Sequence, residues 1–245
     1  MAWRPELSPA SLLKLVSFLN WGALYLWCCA KWPKQSPEWC SRLVTVLHGS
    51  VATAVGIYQC GVRSITPWRL TMKITSWHYA LMVWSWGYFA FDLIWCLVYW
   101  TENTLMLCHH TSALYAITIY MQKQYTGCTF ACTLAMMEVT NPFLQARWFL
   151  RYEGYDTTML YFLVEVTYLL SFLAVRGVLG TWVIYRIVES DIFDMDEKII
   201  SVIFYFVSLA FIRDIVGYIV YRYRSRIEAF RNYLDEVGIL LNEGH

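Results

Sequence analysis

Apolar runs long enough to cross a bilayer follow one another from residue 11 to residue 222, and several hold ionisable residues in their interiors. A spanning helix needs about 17–25 mostly apolar residues. Seven stretches qualify: Ser11–Ala30, Arg42–Gly61, Tyr79–Trp100, Thr104–Gln122, Gly127–Ala146, Thr157–Ile187 and Ile199–Arg222. Only 15% of the residues are charged, against about 25% in a soluble domain. The two-residue alternation of a membrane barrel is absent, so every span must satisfy its backbone within a helix. The expected fold is an all-α polytopic transmembrane helical bundle of about seven spans.

Arg and Lys in the connections set the expected orientation. Lys31, Lys34, Arg42, Arg147, Arg151, Arg222, Arg224, Arg226 and Arg231 collect on one side. Arg4, Arg63, Arg69, Lys73, Lys123, Arg186 and Lys198 collect on the other. The bias places the N-terminus in a lumen and the C-terminus in the cytosol. Residues 1–36 form an N-terminal segment with the first span, 37–226 one domain of six spans, and 227–245 a cytosolic tail, either a short amphipathic helix or disorder. A net charge of +1 provides no field for nucleic acid. The eight cysteines show no CxxC or paired-His spacing and read as buried thiols rather than a disulfide framework or zinc site. Cys28-Cys29, at a membrane boundary, is a candidate for palmitoylation.

Ionisable groups within apolar runs are costly and default to functional candidates. Counting about 1.5 Å per residue from the cytosolic end of each span places His48, Asp92, His109, His110, Glu138, Asn141, Glu165, Arg213 and Asp214 in one layer, roughly 8–14 Å deep. Arg176 falls outside it, towards the opposite surface. The layer predicts a water-accessible pocket beneath apolar walls. An Arg213–Glu165 pair is the structural alternative for two of its members.

Trp39-x-x-Arg42 leading to His48, then Gly87-Tyr88-x-x-x-Asp92, then His109-His110, then Glu138-Val139-Thr140-Asn141-Pro142 through Leu150 form an ordered set of motifs. The set resembles the TLC-domain family, which includes the ceramide synthases and the TRAM translocon protein. It is most similar to the small TLC-domain-only membrane proteins. The resemblance implies a helical bundle around a central cavity in the endoplasmic reticulum or a related endomembrane. Ceramide synthases carry a further histidine downstream of the pair. Here the only histidine after His110 is His245, which argues against full synthase activity.

The leading expectation is therefore a protein that binds an acyl lipid in an intramembrane cavity and acts in membrane lipid homeostasis, without a cofactor or metal. The first alternative is an acyl-CoA-dependent N- or O-acyltransferase, with His109 or His110 as base or nucleophile and Asp92 or Glu138 orienting it. The second is a receptor for a membrane cargo or protein partner. A zinc site from His48, one histidine of the pair and Glu138 satisfies ligand chemistry alone. The oligomeric state is left open.

Overall fold

The computed structural model describes residues 8–60, 73–99 and 104–243, and all the secondary structure among them is helical. Arg4, Arg63 and Arg69, used in the charge balance, lie outside the described residues. The helices are α1 (Pro9–Lys31), α2 (Pro37–Cys60), α3 (Ser76–Tyr99), α4 (Thr104–Tyr120), α5 (Gly127–Glu138), α6 (Asn141–Tyr152), α7 (Met159–Phe172), α8 (Gly180–Glu189) and α9 (Met195–Glu243). A π-helical segment, Leu173–Leu179, joins α7 to α8 without a loop.

Five helical stretches are long and apolar enough to cross a membrane: Pro9–Lys31, Pro37–Cys60, Ser76–Tyr99, Met159–Glu189 and Met195–Ser225. At 17 residues, α4 sits at the lower limit for a span. The expected fifth span is not one helix. It breaks at Val139-Thr140 into α5 and α6, of 12 residues each. Pro142 explains the break, since it has no N–H to give the Glu138 carbonyl and its ring crowds that oxygen. Of the two readings of the tail, helix or disorder, it is helical and continuous with the last span, since α9 runs unbroken for 49 residues, roughly 70 Å.

The ends of the helices follow local chemistry. Ser8 caps α1 by accepting from the Ser11 amide at 3.2 Å, with Pro9 in the first turn. Gly154, at φ +81°, ends α6 in a left-handed turn that lets the Tyr155 amide reach the Leu150 oxygen at 2.8 Å.

Packing pairs α2 with α5, α1 with α3, and α4 with α9. Close approach needs glycine at Gly56, where a Cβ would lie 2.7 Å from the Ala131 oxygen and 2.8 Å from the Ala135 Cβ. One core cluster centres on Trp21, Val44, Met82, Tyr88 and Trp95; a second joins Tyr168, Leu169 and Phe172 to the inner face of α9. Leu26, Trp27, Val178 and Phe206 point outwards and are exposed, as suits helices whose solvent is lipid.

Two of the cysteines depart from the thiol reading. Cys60 at the end of α2 and Cys132 on α5 form a disulfide, with Cα atoms 5.4 Å apart. At the same end of the bundle, Lys123 bonds Asp194 and Asp196 at 2.8 and 2.9 Å. Those hydrogen bonds hold its ammonium well above its usual pKa.

Candidate functional site: a two-part intramembrane cavity

Three consecutive features build the site: the α5–α6 break, the paired histidines of α4 and the π turn after α7. Glu138, the last residue of α5, is buried and faces α2. Its Oε2 lies 3.6 Å from His48 Nδ1 and accepts from Asn141 Nδ2 at 3.0 Å. Asn141 in turn accepts from Gln145 Nε2 at 3.1 Å, and Gln145 from Arg42 Nη1 at 3.0 Å. Arg42 closes the chain on Glu38 at 2.8 Å. The break thus turns one stretch of sequence, Glu138 to Gln145, into a ladder of polar groups from mid-bundle towards one membrane face.

His48 stands behind this ladder rather than on a cavity wall. Its ring stacks on Tyr88 with centroids 3.8 Å apart, and Nε2 shares a 3.4 Å hydrogen bond with Ser85. The arrangement fixes the imidazole so that Nδ1 faces Glu138. The Tyr88 hydroxyl is itself held, donating to Thr45 Oγ1 at 3.0 Å.

His109 and His110 both line the cavity. Neighbours on a helix diverge by about 100°, and the cavity wraps far enough around α4 to take both. His110 Nε2 lies 3.3 Å from Asp92 Oδ2 on α3. His109 turns to the other side, packing against Phe204 and Phe211 of α9 at 5.1 and 5.5 Å between ring centroids. Asp92, Cys96 and His110 offer ligand atoms within 4.8 Å of one another, enough to share a cation. The combination weighed from sequence, His48 with a paired histidine and Glu138, does not converge in this way, because His48 is on the far side of Glu138.

Arg176 is the residue that sequence reasoning misplaced. It is buried, lines the cavity beside His109 and Glu138, and donates from Nη2 to the Met137 oxygen at 2.9 Å. The π turn places it there. The extra residue in such a turn shifts the register of the helix, and π turns are frequent at functional sites. No sequence signal marked that shift.

The cavity has two parts. The polar part, about 270 Å³, is bounded by Arg42, Asp92, Trp95, His110, Asn141 and Gln145. The apolar part, about 100 Å³, runs between α4, α5, α8 and α9 past Ala113, Ile117, Leu134, Ile184 and Ile200. Phe89, His109, Glu138 and Arg176 belong to both walls and form the junction. Trp95 Nε1, His109 Nδ1 and Arg176 Nε are buried on these walls with no hydrogen-bond partner among the described residues.

Three members of the expected layer lie elsewhere. Glu165 sits in a separate network, bound by Arg147 Nε at 3.1 Å and by the hydroxyls of Tyr161, Tyr218 and Tyr223. The Arg213–Glu165 alternative is therefore replaced by Arg147–Glu165. Arg213 and Asp214 face outwards from α9 and touch neither network.

These features define a multi-pass helical membrane protein with an amphipathic cavity inside its bundle. Residues 38–223 match the family model of the TLC domain, and the chain belongs to that family.

Proposed function

We propose that the protein binds an acyl lipid, with the hydrocarbon in the apolar part of the cavity and the polar group among Arg42, Asp92, His110 and Gln145. The observation that carries this reading is that a polar and an apolar space adjoin, with Phe89, His109, Glu138 and Arg176 on the walls of both. Ligand pockets are mostly apolar, with a few placed polar groups that fix orientation. The unpartnered Trp95 and Arg176 nitrogens offer donors to ester, amide or phosphate oxygens, since leaving such groups unmade in a buried site costs about 1–3 kcal/mol each. The role is in membrane lipid homeostasis, in the endoplasmic reticulum or a related endomembrane. The Cys60–Cys132 bond supports placing that end of the bundle, the end of α2 and start of α5, in an oxidising lumen. Lipid mass spectrometry of the purified protein tests the binding: enrichment of one acyl-lipid class is expected. No co-purifying lipid, with no lipidome change on deletion, overturns it.

The 3.3 Å His110–Asp92 pair favours acyl transfer as the second reading. A carboxylate orients an imidazole and stabilises its charged form. The imidazole takes the proton of an amine or hydroxyl acceptor as it attacks the thioester carbonyl, then returns it to the leaving thiolate of CoA. Purified protein given acyl-CoA with a panel of long-chain amines and lysolipids decides between the readings. Turnover selects transfer, and its absence with every acceptor leaves binding alone.

A further inference from the structure

The outer face of α9 carries two charges that nothing among the described residues answers. Arg213 and Asp214 are exposed, and neither has a hydrogen-bond or ion-pair partner among the described residues. Counted from Arg222 at the end of the last span, they lie roughly 12–14 Å inside the membrane. At that depth an ionised side chain facing hydrocarbon is expensive, and intramembrane charges almost always pair or face a protein interior. An annular lipid phosphate reached by Arg213 repels the Asp214 carboxylate. What satisfies both is a surface that offers an acid to Arg213 and a base to Asp214 at the same depth.

This face itself offers that surface. Adjacent residues diverge by about 100° around a helix, so Arg213 and Asp214 flank a strip that runs through Phe206, Ala210, Gly217 and Tyr221. Phe206 and Tyr221 on that strip are 63% and 84% exposed. A Cβ on Gly217 would meet nothing within 4 Å, so no contact inside the chain requires glycine there. Small residues at Ala210 and Gly217 allow two helix backbones to approach in a membrane. Membrane insertion holds two copies the same way up. A two-fold axis along the bilayer normal then sets each flank of the strip against the opposite flank of its mate, so Arg213 meets Asp214 twice, at one depth.

We propose that the protein forms a parallel two-fold dimer along α9, closed by reciprocal Arg213–Asp214 pairs. The interface is isologous, so each residue of the pair appears on both sides. The two cavities lie on the opposite side of α9 from this seam and stay separate. This inference is independent of the lipid reading, because it uses no cavity residue.

Two differently tagged full-length copies, co-expressed and extracted in mild detergent, test it by mutual capture. Wild-type copies capture each other. Arg213→Asp sets acid against acid, and Asp214→Arg base against base, so each variant alone loses self-capture by about tenfold or more, the factor expected from about 1.4 kcal/mol across two intramembrane polar contacts. An Arg213→Asp copy paired with an Asp214→Arg copy restores opposite charges at both contacts and regains capture. So does the double variant R213D/D214R with itself, which also shows that the altered chains fold. Wild-type copies that do not capture each other overturn the proposal. Equal capture by every single variant, or single variants whose loss neither the mixed pair nor the double variant reverses, does the same.

Discussion

Arg176 and Met137 join the two irregular points of the bundle: the guanidinium on the π turn donates to a backbone oxygen one residue before α5 ends, 2.9 Å away. The helix break leaves carbonyls near the Pro142 step short of intrahelical donors, and the π turn supplies one from another helix. The same contact holds Arg176 at the junction of the polar and apolar spaces.

Replacing Arg176 with Met removes that donor while keeping much of the side-chain volume. An unpaired buried carbonyl costs about 1–3 kcal/mol, so the thermal midpoint falls and bound lipid decreases. Arg176→Lys recovers only part, since an ammonium lacks the planar fork. Thermal unfolding in detergent, with lipid quantified on the same samples, is the check. A midpoint and lipid content both equal to wild type contradict the assignment.

The Glu165 network separates stability from binding. Glu165 is 1% exposed and outside both parts of the cavity. Glu165→Ala leaves Arg147 without its carboxylate, which for a buried pair costs about 3–5 kcal/mol. Loss of stability with an unchanged lipid class is the expected result; a changed lipid class ties this network to the cavity instead.

The seam between α2 and α5 should reject a side chain at Gly56. Gly56→Val overpacks against Ala131 and Ala135, at a cost of about 1–3 kcal/mol or more. Gly22→Ala, where a Cβ meets nothing within 4 Å, is neutral or slightly stabilising. Equal midpoints for the two variants would show that the helices do not approach this closely.

The disulfide gives a chemical readout. Peptide mapping without reductant recovers Cys60 linked to Cys132. Closing a loop over a sequence separation of 72 stabilises by about 4 kcal/mol in the chain-entropy account, so reduction lowers the thermal midpoint. The Cys128 sulfur lies 4.0 Å from each of the paired sulfurs; in Cys132→Ser it becomes the partner of Cys60. Alkylation of Cys60 and Cys132 in unreduced protein rules the pairing out.

If acyl transfer is found, replacing His109 and His110 together with Ala abolishes it, and Asp92→Asn lowers it through the orientation of His110. Base catalysis contributes roughly 10²–10⁴-fold, a range that a radiolabelled acyl-CoA assay covers. Cys28→Ala, on α1 and away from both cavity walls, leaves the rate unchanged. Turnover that survives the double histidine change moves the chemistry elsewhere.

Run length and composition were enough to establish a helical membrane bundle, because a lipid solvent leaves the backbone few other options. The order of motifs from Trp39 to Leu150 pointed to the family, and counting residues brought His48, Asp92, His109, His110, Glu138 and Asn141 to a common depth. Depth is a one-dimensional quantity, and a helical residue also has a direction around its axis. Tertiary packing decided that direction. It turned Glu165 into a tyrosine-lined network, left Arg213 and Asp214 facing outwards, and set His48 behind Glu138. It also decided where regular counting fails. The break before Pro142 splits one span into two helices, and the π turn shifts the register of its own helix and so sets the direction in which Arg176 points.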